Sequence, residues 1–203
     1  RVTPLENPAV NGPWICNKGR DLAQIFERPR AEQPLLKGKP VALDAALDAA
    51  RRLIAAAKHT VALVSSWGSN EELSAFADAL GGRLTTFVKP DQVPEPGEPL
   101  EDNLLIRADK NPNTTAARKL FGNASPAFDA QTDLVLVWGE GFDFSRLPAN
   151  AKIIFLNAWL QPENGHADVF FPISVQTERS GHYTNFQGTV SAFEPCFAKG
   201  PGV

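Results

Sequence analysis

A polar loop near the carboxyl end of the chain holds the residues best suited to chemistry. It follows residues 167–172 (ADVFFP), a short apolar segment that predicts a strand ended by proline. Glu178, Gly181, Asn185 and Gly188 in the loop supply a carboxylate, an amide and two positions without a Cβ. Because ligands of open parallel sheets bind beyond the carboxyl ends of the strands, this spacing indicates an active-site loop. The alternative is a turn that completes the fold, tied by Asn185 and using glycine backbone angles at Gly181 and Gly188.

The other residues with catalytic potential match no complete motif. His59, His166 and His182 lack metal-ligand spacing, and the sequence contains neither a GxxxxGK(S/T) phosphate loop nor a GxSxG nucleophile elbow. Gly139 and Gly141 begin a GxG pattern, but the third glycine of a dinucleotide fingerprint does not follow. We interpret these two glycines as residues that let a strand turn.

Two acids close to a predicted strand end, Glu140 and Asp143, could form a carboxylate pair. Loop acids are usually solvated, and we interpret both in that way. The sequence therefore predicts no catalytic residue of its own.

Alternating strands and helices would position these residues. Apolar runs predict five buried strands, at residues 60–65, 83–88, 134–138, 153–156 and 169–171. Helical periodicity predicts helices at 41–58, after a capping box at 69–72, and at 111–121. We expect Asp48 to pair with Arg52, and Lys58 and His59 to lie in the last turn of the first helix. The fold class is α/β, with a mostly parallel open sheet and flanking helices.

Six prolines among residues 1–40 predict an extended, proline-rich N-terminal arm, with one or two helical turns at most at 21–26. We expect the domain proper to comprise residues 41–203. The chain has no methionine, from which we expect that something precedes Arg1.

Composition excludes several classes of protein. The 203 residues carry a formal net charge of -3, which gives no basic footprint for nucleic acid. No apolar run approaches the roughly 20 residues of a membrane-spanning helix, so we expect no direct membrane insertion. The two cysteines, Cys16 and Cys196, are far apart in the sequence, and their spacing does not match a metal site formed by this chain alone.

Two motifs at opposite ends of the chain resemble one known family. Residues 14–20 (WICNKGR) resemble its W-(L/I)-C-x-K-G-R signature, and residues 167–188 resemble its ADV-x-x-P segment with a Glu-x-x-Gly-x-x-x-Asn-x-x-Gly loop. Collinear similarity covers residues 7–68 and 134–191, with a shortened stretch between them. The family is the molybdopterin oxidoreductase superfamily, which includes the large iron-sulfur subunit of respiratory complex I, the NADH:quinone oxidoreductase.

The resemblance implies roles for particular residues. The cysteine at the position of Cys16 is the last ligand of a 4Fe-4S cluster in that family. Either its other three ligands lie upstream of this chain, or the cluster has been lost and Cys16 is a relic. The lysine at the position of Lys18 lies between cluster and pterin in molybdenum enzymes. If a pterin is retained, Glu178, Gly181, Asn185 and Gly188 occupy the corresponding family positions.

Departures from the family argue against molybdenum chemistry. A bis-pterin cofactor needs several large domains, the closing Glu-Gly-Arg of the family is replaced by residues 187–189 (QGT), and Glu140 puts an uncompensated acid where a nucleotide phosphate would lie. We therefore expect no cofactor in this chain itself, with iron-sulfur clusters and FMN elsewhere in the complex.

The resulting hypothesis is a structural domain in the electron-input arm of a complex I-type enzyme. It implies other subunits of a multi-subunit redox complex as partners, and a location at the cytoplasmic face of the bacterial inner membrane. Two alternatives stay open. One is part of a true molybdopterin enzyme such as formate dehydrogenase, in which replacing Lys18 or Asn185 would abolish activity. The other is an accessory subunit of a soluble NAD-linked hydrogenase or diaphorase.

Overall fold

The computed structural model of the chain describes residues 2–9, 11–21, 24, 27–82, 84–97, 100–102 and 106–198, without the side chain of Lys18. Of the predicted helical turns at 21–26, positions 22, 23, 25 and 26 lie outside the described residues. The rest is a mixed α/β structure organised around one large sheet.

Seven strands form this sheet. They are β1 (Leu35–Leu36), β2 (Lys39–Pro40), β3 (Thr60–Ser65), β4 (Thr85–Lys89), β5 (Leu134–Trp138), β6 (Lys152–Asn157) and β7 (Val169–Pro172). Their spatial order is β2-β1-β7-β6-β5-β3-β4. The five strands from β7 to β4 are parallel, as predicted, whereas β1 and β2 form an antiparallel hairpin on the β7 side.

The apolar runs form these strands because both faces of the sheet are covered. In β3, Val61 and Leu63 belong to the core on one face, while Ala62 and Val64 pack on the opposite face, and all four are buried. β3 and β5 have the predicted bounds, and the other three predicted strands differ from the observed ones by a few residues.

Helices cover one face of the sheet. The helices of the described residues are α1 (Asn17–Arg20), α2 (Leu43–Ala56), α3 (Asn70–Leu80), α4 (Thr114–Phe121) and α5 (Pro162–His166). α2 and α3 pack together on the same sheet face, where Ala46 and Ala50 of α2 contact a core that includes Ala62 and Leu136. The predicted helices are confirmed; α3 begins after its predicted cap, whereas α2 is shorter than predicted at both ends and α4 at its start.

The contacts of the charged residues in α2 and just after it differ from the prediction. Asp48 pairs with Arg51 over 2.9 Å, and not with Arg52, because i,i+3 neighbours also share a helix face. Lys58 and His59 lie beyond the helix, where their backbone amides donate to the carboxylate of Asp133. These two hydrogen bonds lower the pKa of Asp133.

Aromatic residues from loops cover the other sheet face. Phe155 of β6 contacts Phe170 of β7 and Phe144 of the segment between β5 and β6, with ring centroids 5.8 and 5.1 Å apart. Phe128 and Phe142 form a further edge-to-face pair at 6.1 Å. Loops, which sequence periodicity does not detect, therefore complete this half of the core.

The predicted capping box starts α3. The hydroxyl of Ser69 accepts from the amide of Glu72 over 3.2 Å, and the Glu72 carboxylate accepts from the amide of Ser69 over 2.8 Å. Gly81 ends the helix with a left-handed φ of 54°.

Ser69→Ala is expected to lower the free energy of unfolding by about 1 kcal/mol, because it leaves an orphan amide at the helix start. Urea unfolding measures this loss. Ser125→Ala, at an exposed loop position, is the control and should change stability by less than about 0.5 kcal/mol. Equal effects of the two substitutions would contradict the capping role.

A separate two-stranded antiparallel sheet, β8 (Gly181–Thr184) and β9 (Val190–Phe193), contains the loop that the sequence marks for chemistry. It contacts α3 and α4 through β8. Residues 1–40, predicted as an extended arm, contain α1 and the β1–β2 hairpin, and the boundary after residue 40 stays a prediction. Within the described ranges, no helix combines the length and apolar composition that a membrane crossing needs.

Candidate functional site

The strand order singles out one edge of the sheet. Taken in chain order, the five parallel strands lie in the order 2-1-3-4-5, so the direction of winding reverses between β3 and β5. In open α/β sheets of this kind, ligands bind at this switch point, beyond the carboxyl ends of the strands. The residues there are Ser65 at the end of β3 with Ser66 after it, Lys89 at the end of β4, and Gly139 and Glu140 after β5.

A buried ion pair fills the switch point. The Lys89 ammonium is 1% exposed and donates to the Asp91 carboxylate, Nζ to Oδ1, over 2.9 Å and to the main-chain oxygen of Glu140. The hydroxyl of Ser65 donates to the other oxygen of Asp91 over 2.7 Å. Burial raises the pKa of Asp91, and the adjacent Lys89 charge acts in the opposite direction. Neither catalytic nor ligand-binding candidates from the sequence included Lys89 or Asp91.

Gly139 and Gly141 pack against this ion pair. Both have positive φ angles, 77° and 84°, so the turn after β5 does need glycine, as predicted. The turn is not their whole role. A Cβ on Gly139 would collide with the Asp91 carboxylate, and a Cβ on Gly141 with the Asp91 carbonyl oxygen. Gly139 therefore admits the Asp91 carboxylate, and Gly141 the Asp91 main chain, to the carboxyl end of β5.

Comparing Gly141→Ala with Gly188→Ala separates the effect of the positive φ from the effect of the close contact with Asp91. Both glycines have a φ of 84°, but no atom lies within 4 Å of a Cβ on Gly188. Gly141→Ala is expected to lower the free energy of unfolding by roughly 1–3 kcal/mol more than Gly188→Ala, because it adds a clash with backbone to the same strain. Urea unfolding gives both values, and equal losses would show that the close approach carries no cost.

Glu140 is a paired acid, which corrects the prediction of a solvated or uncompensated one. Arg28 donates to both carboxylate oxygens over 2.9 and 2.5 Å, and Gln161 donates to Oε2 over 2.9 Å. The sequence could not show this pairing because the partners are 112 residues apart. Asp143 accepts instead from Ser145, and hydrogen bonds from the side chain and the amide of Ser145 lower the pKa of Asp143. Glu140 and Asp143 therefore do not form a carboxylate pair.

Residues 28–31, which we call the arginine strap, run along the end of β6. The amide of Ala31 donates to the carbonyl of Ala158, and the amide of Leu160 to the carbonyl of Pro29. The Arg28 guanidinium lies 4.4 Å from the ring centroid of buried Trp159, at cation-π distance. The strap thus adds a short extended segment to the carboxyl edge of the sheet.

Arg30 of the strap holds Glu178, one of the loop residues marked by the sequence. Two guanidinium nitrogens donate to the two Glu178 oxygens over 2.6 and 3.0 Å, and Arg30 also donates to the carbonyls of Ala158 and Ile173. The Glu178 side chain is 8% exposed and also accepts from the amide of Val175. Glu178 is therefore bound within the protein, and it does not point a free carboxylate at a ligand.

The remaining loop residues bind different partners and do not converge on one site. Asn185 ties the β8–β9 turn, as predicted, by accepting from the amides of Gln187 and Thr189 over 2.9 Å each. Gly188 has the predicted glycine angle. Gly181 does not have a positive φ; a Cβ there would lie 2.7 Å from the Cβ of Ser69, so this glycine serves a close approach to the start of α3.

His182 lies in β8, and not in a loop, next to the start of α3. The Glu71 carboxylate accepts from the His182 amide over 3.0 Å and lies 2.6 Å from the ring nitrogen Nδ1. The hydrogen bond from the His182 side chain lowers the pKa of Glu71 from 4.5 to about 2. His166 ends α5, and His59 precedes β3.

A lowered pKa means that Glu71 stabilises the folded state above pH 4.5 and loses this contribution as the pH falls toward 2. Glu71→Gln is therefore expected to destabilise the protein at pH 6, with the difference from wild type shrinking between pH 4.5 and 2. Urea unfolding across this range measures it. A difference that stays constant with pH would exclude the carboxylate as its source.

A narrow cleft lies beside the ion pair, and its volume decides whether a pterin could bind there. Its interior volume is about 50 Å³, and its walls include the rings of Trp67, Trp138 and Trp159 together with Arg179. Sites for cofactor-sized ligands are roughly 300–1,000 Å³. A pterin therefore does not fit this cleft.

A second hollow on the same edge is larger, about 470 Å³. Asp91, Glu140, Asp143 and Glu163 are among the residues that line it. Asp91 and Glu140 are already paired with Lys89 and Arg28, and the described residues that line this hollow include no basic side chain for the phosphate groups that pterin and nucleotide cofactors carry. This hollow does not match their chemistry either.

The candidate metal ligand Cys16 is a half-buried free cysteine at the start of the four-residue helix α1. In the part of the chain that the structure describes, no group of three or more His, Cys, Asp or Glu side chains is placed to hold a metal ion. The side chain of Lys18 lies outside the described residues.

Comparison with known proteins assigns no family. No family model matches the sequence, and no curated protein matches it at a significant level. The function must therefore be argued from the motifs and from the geometry of the strand ends.

Proposed function

We propose that the chain is a structural domain of a complex I-type NADH:quinone oxidoreductase, derived from a molybdopterin oxidoreductase domain and without molybdenum chemistry of its own. The assembly oxidises NADH and passes electrons through FMN and iron-sulfur clusters to quinone. In this proposal the chain belongs to the large iron-sulfur subunit in the peripheral arm, at the cytoplasmic face of the bacterial inner membrane.

One observation carries the structural role. The edge of the sheet where this fold binds ligands is occupied by the chain's own side chains. Three ion pairs lie there: Lys89 with Asp91, Arg28 with Glu140, and Arg30 with Glu178. Within each pair, the two opposite charges balance. In an active site, polar side chains face a space that a substrate can enter. The six charged side chains of these pairs instead bind one another.

The assignment to a complex rests on the two motifs, at residues 14–20 and 167–188, and on their order in a parallel α/β chain. The arginine strap supports it, because it ties the segment that follows Cys16 to the carboxyl edge of the sheet. A domain that braces a cluster-bearing neighbour needs such a fixed connection.

Isolation of the assembly that contains this chain tests the proposal. The chain is tagged in its native host, and detergent-solubilised membranes are purified through the tag. We expect NADH:quinone reductase activity to co-elute with the chain, with FMN and iron in the assembly and no molybdenum on the chain. Membranes from the untagged strain are the control.

Two outcomes would contradict the proposal. Stoichiometric molybdenum and pterin on this polypeptide would support a molybdopterin enzyme such as formate dehydrogenase. Elution with a hydrogenase and without a membrane arm would support an accessory subunit of a soluble NAD-linked hydrogenase or diaphorase.

A further inference from the structure

We propose that the switch point between β3 and β5 is an anion-binding site for a small carboxylate, and that this chain fills it with the carboxylate of Asp91. The site consists of the Lys89 ammonium, the Ser65 hydroxyl and the two glycines after β5. The inference goes beyond the proposed function and does not depend on which complex contains the chain.

The donors are arranged for an anion with two oxygens. Lys89 Nζ and Ser65 Oγ donate to different oxygens of the Asp91 carboxylate, over 2.9 and 2.7 Å. Lys89 is 1% exposed and Ser65 also 1% exposed, so water does not compete with the bound acid. A buried ammonium is stable only when it is paired, and its other partner, the carbonyl oxygen of Glu140, carries no net charge.

The backbone has the form of a ligand site as well. In dinucleotide-binding folds, a glycine after the strand lets the anionic group approach the main chain. Here Gly139 allows the Asp91 carboxylate to approach the main chain closely, and Gly141 does the same for the Asp91 carbonyl oxygen. A Cβ added to either glycine would collide with these atoms. The site therefore contains an anion, donors and glycines in the expected relation, but the anion is part of the protein.

Asp91 is held in place by its own loop. Its amide and that of Gln92 both donate to the side-chain oxygen of Asn111, over 3.0 and 2.9 Å. This attachment gives the carboxylate a high effective concentration at Lys89, which a dissolved anion cannot match in the wild-type protein. Removing only the carboxylate should uncover the site.

Asp91→Ala keeps the Cβ and deletes the carboxylate, which leaves a gap the size of formate beside Lys89 and Ser65. The test compares the Tm of this variant in sodium formate and in sodium chloride of equal ionic strength at pH 7. At formate concentrations of about ten times Kd, we expect a Tm roughly 3–6 °C above that in chloride. The wild-type protein should show no difference between the two salts.

Two double variants supply matched controls. Lys89→Met with Asp91→Ala removes both charges, and the formate effect should disappear. Ser65→Ala with Asp91→Ala removes one neutral donor, and the effect should be weaker than in the single variant. If the single variant does not stay folded in chloride, the yield of refolding in formate against chloride gives the same readout.

Equal Tm values, or equal refolding yields, of Asp91→Ala in formate and chloride would overturn the proposal. A formate effect that persists without Lys89 would also overturn it. Because both measurements use the purified chain alone, their failure would leave the assignment to a redox complex to be judged by its own co-isolation test.

Discussion

Lys89→Met is expected to lower the free energy of unfolding by about 3–5 kcal/mol, because it leaves a buried carboxylate without its partner. Because methionine keeps the length of the side chain, the loss in the free energy of unfolding reflects the missing charge more than a change in packing. The Asp91 carboxylate is 7% exposed and would keep only the hydroxyl of Ser65 as a side-chain donor. Urea unfolding measures the loss.

The pH dependence of this loss has a defined sign. Burial raises the pKa of Asp91, and Lys89 partly opposes the rise, so the pKa should be higher still in the variant. An acid with a raised pKa in the folded state favours folding more as the pH falls. The difference between Lys89→Met and wild type should therefore be smaller at pH 5 than at pH 8. A difference that is equal or larger at pH 5 would contradict this account.

Lys152→Met is the matched control for this experiment. Lys152 pairs with Asp168 over 3.3 Å, but its side chain is 53% exposed. Exposed pairs contribute about 0–1 kcal/mol, so this substitution should have little effect at either pH. A large effect would mean that loss of a lysine charge destabilises the chain generally.

Arg30→Met is the second substitution with a large expected effect. It removes two hydrogen bonds from the buried carboxylate of Glu178 and releases the arginine strap from the carbonyls of Ala158 and Ile173. We expect a loss of about 3–5 kcal/mol in the free energy of unfolding. Hydrogen exchange of the amides of Ala31 and Leu160, which bond across the strap, should become faster.

Two further variants make the interpretation specific. Arg51→Met removes an arginine that is 71% exposed and paired with Asp48, and it should cost less than about 1 kcal/mol. Glu178→Gln added to Arg30→Met removes the buried charge that Arg30 balances in the wild-type protein and should recover part of the stability. Unchanged exchange at Ala31 in Arg30→Met would show that the strap is held by its backbone alone.

The local elements were predictable from local chemistry. β3 and β5 were predicted with the observed bounds because continuous apolar runs form strands covered on both faces. The start of α3 was predicted because its capping box lies within four consecutive residues. The β1–β2 hairpin and the β8–β9 sheet were missed, since two-residue strands and largely exposed strands carry little periodic signal.

The candidate site could be predicted only in outline. The sequence drew attention to Gly139 and Glu140 near a predicted strand end but not to Lys89, and it could not show what these residues contact. Arg28 lies 112 residues from Glu140, and Arg30 lies 148 residues from Glu178. Sequence spacing gives no information on pairs at such separations.

The sequence by itself determined the α/β class, the parallel strands and the turn around Asn185, because each depends on neighbouring residues and on the pattern of apolar side chains. Only the tertiary structure decided the state of the acids at the strand ends. Whether Glu140 and Glu178 are free to act on a ligand depends on arginines brought from distant parts of the chain, whereas Asp91 is paired with the nearby Lys89 at a buried strand end. Burial makes those pairings strong enough to occupy the site themselves.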